Sequence, residues 1–252
     1  MAASYARLLR ACWSAGIDFA LPPRCPGCGL IVDGDHRFCV ACWQALDFLG
    51  PPACAVCALP LPHDNGEGAI CGACHADLPA FDRMQAAVAY GDVARTVALR
   101  LKYGRRPGVA RTMAGHMARL VRDAPPDMLV AAVPLHRWRL WSRGYNQALL
   151  IAKGVAERIG RQSVPDLLVR TKSTPVLRGL GRKARARAVA GAFAVPAAHR
   201  ALIRHRSILL IDDVFTSGAT AQACARALKR AGAAEVRLLC WARVLRDEAA
   251  GR

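Results

Sequence analysis

The sequence lacks a long uninterrupted run of apolar residues. Arg7, Arg10 and Asp18 interrupt the apolar residues of the N-terminal segment, whereas a membrane-spanning helix needs about 20 consecutive apolar residues and a secretory signal needs an unbroken apolar stretch. The sequence therefore predicts no membrane span and no signal peptide, and we expect a soluble cytoplasmic protein. Residues 1–22 carry apolar side chains at helical spacing and predict an amphipathic N-terminal helix.

Acidic residues are also scarce, and their distribution is uneven. The chain has 36 basic and 18 acidic residues and a net charge of +18. Residues 1–85 contain five basic and eight acidic side chains, a net of −3, whereas residues 86–252 contain 31 and 10, a net of +21. Such a positive field attracts polyanions, so the second part is a candidate binder of phosphates or nucleic acid. A compositional bias is the alternative, because 31 of the 36 basic residues are arginine.

The chain is nevertheless apolar enough to be globular. It has 252 residues, of which 54% are hydrophobic, so it has room for one large or two modest domains with a core. Cysteines are concentrated in residues 23–81, and apolar segments typical of buried strands begin after residue 81. We therefore predict a cysteine-rich domain over residues 23–81 and a larger domain over residues 82–252.

Eight of the eleven cysteines form four C-x-x-C pairs. Each pair can place two thiolates on one metal ion, and two pairs complete a tetrahedral four-sulfur zinc site. The predicted ligands are Cys25, Cys28, Cys39, Cys42, Cys54, Cys57, Cys71 and Cys74. Four thiolates leave no open coordination position, so we expect two structural zinc ions rather than catalytic ones.

Two other roles for these cysteines are disfavoured. A disulfide framework is disfavoured in a reducing cytosol, and redox chemistry at one C-x-x-C motif would not require four copies. Pairing in chain order gives one zinc ribbon from the first four cysteines and a second from the last four. An interleaved pairing stays open at this stage.

A strand-loop-helix unit spans residues 207–220. The apolar residues 208–211 predict a buried strand that ends at two adjacent carboxylates, Asp212 and Asp213. A turn of small and hydroxyl residues then leads into an alanine-rich helix, and it consists of Thr216, Ser217, Gly218, Ala219 and Thr220. Unpaired N–H groups and the positive end of the dipole lie at a helix N-terminus, so this turn is a candidate phosphate site. The alternative is an ordinary connection with a capped helix.

A second unit of the same kind follows an apolar strand predicted over residues 128–133. Ligands gather at the carboxyl ends of parallel strands, so the loop after this strand is expected to face the same crevice and to bind a second anion. Its candidate residues are Pro134, Leu135, His136, Arg137 and Arg143. Helix capping is the alternative role for Asn146, which precedes the helix predicted over residues 148–159.

Two further features of the basic part bear on nucleic-acid binding. The aromatic residues Trp138, Trp141 and Tyr145 lie among arginines, a composition that suits single-stranded DNA, although each ring is equally compatible with a core position. Residues 170–206 contain ten basic residues and no acid. Within them, residues 171–190 have little apolar periodicity and predict a mobile loop or flap.

These features together resemble the ComF family, which joins an N-terminal double zinc ribbon to a type I phosphoribosyltransferase-like domain. The resemblance extends over almost the whole chain. Besides the C-x-x-C pairs it rests on Lys102-Tyr103, Val133-Pro134, residues 143–147, 191–193 and 211–220. It implies an α/β fold class, with a type I phosphoribosyltransferase fold around a central, mostly parallel sheet, preceded by a small zinc-ribbon region.

The resemblance also implies roles for the candidate residues. Asp212 and Asp213 would hold the ribose hydroxyls of phosphoribosyl pyrophosphate (PRPP) bound with Mg²⁺, and would be the catalytic residues of a transferase. Residues 216–220 would hold the 5′-phosphate and the 134–136 loop the pyrophosphate. The flap departs from the family pattern, since Leu177 and Ala188 stand where glutamine and asparagine are usual, and this bears on its closure over a substrate.

Members of the family are similar to factors needed for DNA uptake during natural transformation. The resemblance therefore implies a role in DNA uptake, with handling of single-stranded DNA and with proteins of the uptake machinery as partners. The alternatives are an active PRPP-dependent phosphoribosyltransferase with an unidentified acceptor, and a non-catalytic nucleotide-sensing scaffold.

Overall fold

The computed structural model describes residues 22–64, 66, 68–104, 106–172 and 181–245. The predicted N-terminal helix, apart from its last residue, and residues 173–180 of the predicted flap lie outside this part of the chain. Across the described ranges, no helix combines the length and the apolar character that crossing a membrane requires.

A parallel sheet forms the centre of the fold. In chain order the strands are β1 (Arg83–Ala89), β2 (Leu129–Ala132), β3 (Gln162–Ser163), β4 (Val169–Arg170), β5 (Phe193–Ala194), β6 (Ser207–Phe215) and β7 (Glu235–Arg243). Within the described residues, one sheet has the order β1-β7-β6-β2-β3 with all neighbours parallel, and β4 pairs antiparallel with β5. The predicted α/β fold class with a central parallel sheet is confirmed.

Helices connect the strands and cover the sheet. They are α1 (Val40–Gln44), α2 (Gly72–Ala76), α3 (Asp92–Tyr103), α4 (Val109–Ala118), α5 (Arg137–Arg143), α6 (Gln147–Ile159), α7 (Arg182–Val189), α8 (Arg200–Ile203) and α9 (Ala219–Arg230), with 3₁₀ turns at Arg119–Val121 and Ala197–His199. Asn146 caps α6 by accepting a hydrogen bond from the Ala148 N–H (3.1 Å), and Gly160 ends it in a left-handed conformation.

Both faces of the sheet are buried. Leu209 and Ile211 of β6 point to a cluster formed with α3, α4 and α6, whereas Ile208 and Leu210 point to a second cluster formed with α9. Because strands buried on both faces have apolar side chains at successive positions, the short apolar runs in the sequence were recognisable as strands.

Two segments differ from the sequence prediction. The strand expected to end before Asp212 continues to Phe215, because the backbone of β6 pairs with β7 from Ser207↔Glu235 to Phe215↔Arg243. Part of the predicted flap is helical, since α7 occupies residues 182–189. The domain boundary expected at residue 82 stays a prediction, with β1 beginning one residue later.

The cysteine-rich part packs against the free edge of β1. The Leu49 N–H donates to the Ala87 carbonyl (3.1 Å), and the Ala89 N–H donates to the Asp47 carbonyl (2.8 Å). The Arg100 guanidinium of α3 donates to the Pro26 carbonyl (2.9 Å). The segment between the two ribbons thus covers an edge strand whose polar groups would otherwise be unpaired.

Candidate functional site

The eight predicted zinc ligands form two compact groups. Cys25, Cys28, Cys39 and Cys42 make one, and Cys54, Cys57, Cys71 and Cys74 make the other, with the sulfurs of each group all within 4.8 Å of one another. The cysteines therefore pair in chain order, and the interleaved arrangement is excluded.

The sulfur spacing fits a tetrahedral zinc ion. The Cys28 and Cys39 sulfurs are 3.6 Å apart, and the Cys57 and Cys71 sulfurs are 3.7 Å apart. A Zn–S bond of about 2.3 Å in a tetrahedron places two sulfurs about 3.8 Å apart, whereas a disulfide requires about 2.05 Å. Both groups are suited to structural zinc.

Backbone amides favour the thiolate form of Cys54, the form that zinc binding requires. The Cys71 N–H donates to the Cys54 sulfur (3.3 Å). Burial raises the pKa of Cys54, but the N–H groups of Cys71, Cys57 and Val56 outweigh it and lower that pKa to about 7. The tight turn of the first knuckle also depends on Gly27, where a Cβ atom would lie 2.7 Å from the Cys42 sulfur.

A cavity of about 380 Å³ lies over the start of α9, and we call it the phosphate cavity. All five residues of the predicted phosphate loop line it, as does Asp212, and Lys102 and Arg185 approach it from α3 and α7. Gly218 precedes α9 with a φ of +74°, and a Cβ atom there would lie 2.8 Å from the Phe215 ring. The loop thus requires glycine at the point where the helix begins.

The two acids differ in their surroundings. Asp213 is only 4% exposed and its carboxylate lies 2.6 Å from the Lys102 ammonium group. Asp212 is only partly buried, and its carboxylate accepts a hydrogen bond from the Asp213 N–H (2.8 Å). Asp212 therefore borders the phosphate cavity, and Asp213 is engaged in a buried ion pair behind it.

Burial and mutual repulsion shift the ionisation of these groups. Burial, and then the neighbouring Asp213 carboxylate, raise the pKa of Asp212 to about 8. Burial by itself lowers the pKa of Lys102, but the carboxylates of Asp213 and Asp212 outweigh that effect and raise it above its usual value. In the free protein the wall of the phosphate cavity therefore carries the Lys102 cation, and the raised pKa of Asp212 favours the protonated carboxyl group near neutral pH.

The predicted anion loop starts beside this site. The Val133 N–H donates to the Ile211 carbonyl (2.9 Å), so β2 and β6 end side by side. His136 caps α5 by accepting from the Trp138 N–H (3.4 Å). Among the described residues that line the phosphate cavity, however, none comes from the 134–137 loop. Pro134, Leu135, His136 and Arg137 stay predicted ligands.

Arg143 links this loop to the site. Its guanidinium donates to the Tyr103 hydroxyl (3.3 Å) and lies 5.1 Å from the centre of that ring. It also donates to the Gln147 side chain (3.3 Å). Because Tyr103 follows Lys102 at the end of α3, the structure brings Arg143 to the same edge of the sheet as the acids.

The three aromatic residues near this loop divide into two kinds. Trp138 and Trp141 on α5 are 65% and 81% exposed, and their rings meet edge to face with centroids 6.3 Å apart. Tyr145 packs against the core, and its hydroxyl donates to the Leu101 carbonyl. The two tryptophans are therefore available to a partner and Tyr145 has a structural role.

Two site residues were not predicted as such from the sequence. Lys102 lies 111 residues before its partner Asp213, and its signal was only its place in the Lys102-Tyr103 pair. Arg185 is one of several arginines in the predicted flap. Neither has a local pattern that distinguishes it from its basic neighbours.

Just over half of the chain resembles parts of solved structures. Phosphoribosylpyrophosphate synthetase from Mycobacterium smegmatis has a TM-score of 0.34 and 17% identity, with coverage of 56% of this chain and 35% of that chain. Glutamine PRPP amidotransferase from B. subtilis has a TM-score of 0.37 and 18% identity, with coverage of 56% of this chain and 30% of that chain.

Sequence relatives extend over most of the chain, and residues 16–75 match the double zinc ribbon domain. Competence protein F of Haemophilus influenzae is 29% identical over 175 residues, which are 67% of this chain and 76% of that protein. DNA utilization protein YhgH of Salmonella typhi is 30% identical over 196 residues, 75% of this chain and 83% of that protein. With its two four-cysteine groups and parallel α/β domain, the chain belongs to the ComF family, together with competence protein F and DNA utilization protein YhgH.

Proposed function

We propose that the chain binds a phosphoribosyl ligand, PRPP with Mg²⁺, at the phosphate cavity. The observation that carries this proposal is the combination of a helix N-terminus, two cationic side chains and one partly buried carboxylate around a single cavity. The N–H groups of residues 216–220 and the side chains of Lys102 and Arg185 suit the 5′-phosphate.

The acids have separate tasks in this proposal. Asp212 borders the cavity and accepts hydrogen bonds from the ribose hydroxyls, or holds Mg²⁺ through water. Asp213 holds Lys102 in place through the buried ion pair and positions Asp212 through its backbone N–H. The loop of residues 134–137, with Arg143, binds the pyrophosphate of PRPP.

We propose further that the protein acts in DNA uptake and handles single-stranded DNA. The names of the relatives, competence protein F and DNA utilization protein, support this role. The exposed rings of Trp138 and Trp141 offer stacking surfaces, and the net charge of +21 over residues 86–252 attracts the phosphates of DNA. Proteins of the DNA-uptake machinery are the expected partners.

Turnover of PRPP is a second candidate function. A nucleophile would attack C1 of the ribose, the bond from C1 to the pyrophosphate oxygen would break, and the acceptor would lose a proton as Mg²⁺-bound pyrophosphate departs. Such a step needs charge stabilisation more than a nucleophilic side chain. The approach of Arg185 to the phosphate cavity favours it, because a cation there neutralises ligand charge. A scaffold that senses a nucleotide would use the same cavity without turnover.

Titration calorimetry with PRPP and MgCl₂ tests the binding proposal. We expect Asp212→Asn to weaken binding at least about tenfold, since a lost charged hydrogen bond costs roughly 1.5–3 kcal/mol. Asp127→Asn is the matched control, because Asp127 is exposed and precedes β2 at the opposite edge of the sheet. No binding by the wild type, or equal affinities for all three proteins, would refute the proposal.

Pyrophosphate release separates the enzymatic from the non-enzymatic alternative. The wild-type protein is incubated with Mg²⁺-PRPP and a panel of amines and nucleobases, and released pyrophosphate is measured. Release with at least one acceptor that Asp212→Asn abolishes supports a transferase. Binding without release for every acceptor supports a nucleotide-sensing scaffold.

Fluorescence anisotropy with a labelled single-stranded oligonucleotide tests the DNA proposal. Because stacking contributes about 1–3 kcal/mol per base, we expect the double change Trp138→Ala and Trp141→Ala to weaken binding about tenfold or more. Leu140→Ala on the same helix is the control, since this side chain is exposed but not aromatic. An unchanged affinity of the double variant, or binding that is insensitive to salt, would contradict the proposal.

A further inference from the structure

A groove of about 530 Å³ lies at the end of α9 that is farther from the phosphate loop. We call it the arginine groove. It is formed by β5 and Val195, by α8 and by the end of α9, and it is lined by three arginines, Arg200, Arg204 and Arg230. Because Ala219 lines the phosphate cavity and Arg230 lines the groove, about 16 Å of helix separates the two places.

The arginines of the groove have no counter-ion among the described residues. None of their guanidinium groups makes a hydrogen bond or a salt bridge within that part of the chain, and no described residue that lines the groove is acidic. From residue 167 to residue 234 the sequence contains only two acids, Asp212 and Asp213, and both belong to the candidate phosphate site. Asp166 is paired with His199 (3.1 Å). The groove therefore attracts anions from outside the molecule.

The end of α9 is complete without the guanidinium group of Arg230. The carbonyl groups of Leu228 and Lys229 accept hydrogen bonds from backbone N–H groups that follow the helix. The ammonium group of Lys229 donates to the Ala234 carbonyl (2.8 Å) and pairs with Asp82. A role in ending the helix thus does not account for Arg230, and its charge is free to meet a ligand.

The arginine groove combines a charged rim with an apolar base. Phe193, Val195 and Ala227 line it and are buried, whereas the three arginines are exposed. Its volume is larger than that of the phosphate cavity. Arginine binds phosphate oxygens through paired N–H groups, and an apolar base offers contact to sugars and bases. A positively charged groove of this kind is typical of proteins that follow the backbone of a single strand.

We propose that the arginine groove binds the phosphodiester backbone of single-stranded DNA. This inference rests on the DNA handling proposed above and assigns to it a contact for phosphates, in addition to the stacking surfaces of Trp138 and Trp141. The two proposed ligands then use opposite ends of one helix. The phosphoribosyl ligand binds at the start of α9, and DNA binds beside its last turn.

The test removes equal charge from the groove and from the other face of the sheet. The groove variant replaces the three groove arginines by glutamine (Arg200→Gln, Arg204→Gln and Arg230→Gln). The matched control replaces three exposed arginines on the side of the sheet covered by α3 and α4 (Arg95→Gln, Arg111→Gln and Arg122→Gln). A third protein carries lysine at the three groove positions and keeps the charge. Zinc content and melting temperature show that each protein has folded.

Fluorescence anisotropy with a labelled single-stranded oligonucleotide is measured at several salt concentrations. We expect the slope of log affinity against log salt concentration to become shallower by about 2 in the groove variant, since each phosphate contact of a single strand contributes about 0.7. Its affinity at low salt should fall about tenfold or more. The control and the lysine protein should keep most of the wild-type slope and affinity.

Three results would contradict these proposals in different ways. A groove variant with the wild-type slope, or equal losses in the groove variant and the control, would overturn the inference and leave the proposed DNA handling intact. Loss of inorganic tripolyphosphate binding in the groove variant, with unchanged DNA affinity, would identify a site for a small anion and would also overturn the inference. No binding of the oligonucleotide by the wild type would overturn the proposed DNA handling itself.

Discussion

At the scale of single residues, the Lys102–Asp213 pair is the feature on which the candidate site depends. Asp213 is buried, and a buried carboxylate without a cation nearby is costly. The pair also fixes the ammonium group of Lys102 at the wall of the phosphate cavity. The residues that we propose as ligand-binding are thus held by a contact that also affects stability.

Replacing Lys102 should therefore destabilise the protein. We expect Lys102→Met to lower the free energy of unfolding by about 3 kcal/mol, measured by urea denaturation, because it leaves Asp213 without its cation. Lys229→Met is the matched control, since the Lys229–Asp82 pair is similarly short but more exposed and should contribute about 1 kcal/mol or less. Equal losses in the two variants would show that burial of the Lys102–Asp213 pair has no special effect.

Asp212 should make stability depend on pH. Its pKa in the folded protein is raised to about 8, above its ordinary value of 3.8. The folded state therefore retains the proton when the unfolded state has lost it, and the contribution of Asp212 to stability falls as pH rises from about 4 to about 8. From pH 5 to pH 8, the unfolding free energy of the wild type should fall by at least about 1 kcal/mol more than that of Asp212→Asn. Parallel pH profiles of the two proteins would contradict the shift.

At the scale of elements, the start of α9 combines a backbone requirement with the site. Gly218 has a positive φ and touches the Phe215 ring, which lines the phosphate cavity. A side chain at residue 218 would both strain the backbone and displace the Phe215 ring. The conformation of the phosphate loop consequently depends on this glycine.

Gly218→Ala should cost about 1–3 kcal/mol of stability and lower the melting temperature by several degrees. Gly108→Ala is the comparison, because Gly108 has right-handed helical dihedrals and open space around its Cα, so alanine there should be neutral or slightly stabilising. Differential scanning calorimetry of both variants measures the effect. A Gly218→Ala protein as stable as the Gly108→Ala protein would show that the loop tolerates a side chain.

Elements were predicted with unequal success, for a physical reason. The segments that form α6 and β2 have apolar side chains at a regular period, and the sequence prediction located them closely. Helices α5 and α7 are rich in arginine and lack a broad apolar face, so the sequence predicts loops in both segments. The continuation of β6 beyond Ile211 depends on pairing with β7, which local sequence does not record.

At the scale of the whole molecule, the ribbons and the α/β domain are parts of one structure. The backbone of residues 47–49 pairs with β1, and Arg100 and Arg243 bind carbonyl groups of the two zinc knuckles. Loss of both ribbons and the segment between them would expose the edge of β1 and remove the carbonyl acceptors of these two guanidinium groups. Metal binding should therefore stabilise the α/β domain as well as the ribbons.

Removal of zinc tests this coupling. We expect a chelator to release two zinc ions per chain and to lower the melting temperature of the whole protein, with a single unfolding transition before removal. Metal content and circular dichroism are measured on the same samples, and addition of zinc should restore the original transition. If zinc leaves while the transition of the α/β domain stays unchanged, the ribbons are not coupled to the sheet.

The sequence by itself determined the features whose parts are close together in the chain. The four C-x-x-C pairs identified all the zinc ligands, and the strand, acids, loop and helix of residues 207–220 identified the candidate phosphate site. Each of these motifs extends over a few residues, so the spacing of the residues is sufficient to predict its chemistry. The fold class followed from the apolar period of the strands and from the family resemblance.

Only the tertiary structure decided the features that join distant residues. It showed that the cysteines pair in chain order, that Asp212 rather than Asp213 borders the phosphate cavity, and that Lys102 lies at its wall. It also brought the cysteine-rich part against β1, α3 and β7 of the α/β domain. Burial and charge at these places depend on which surfaces meet when the chain folds, and a linear pattern contains no record of those contacts.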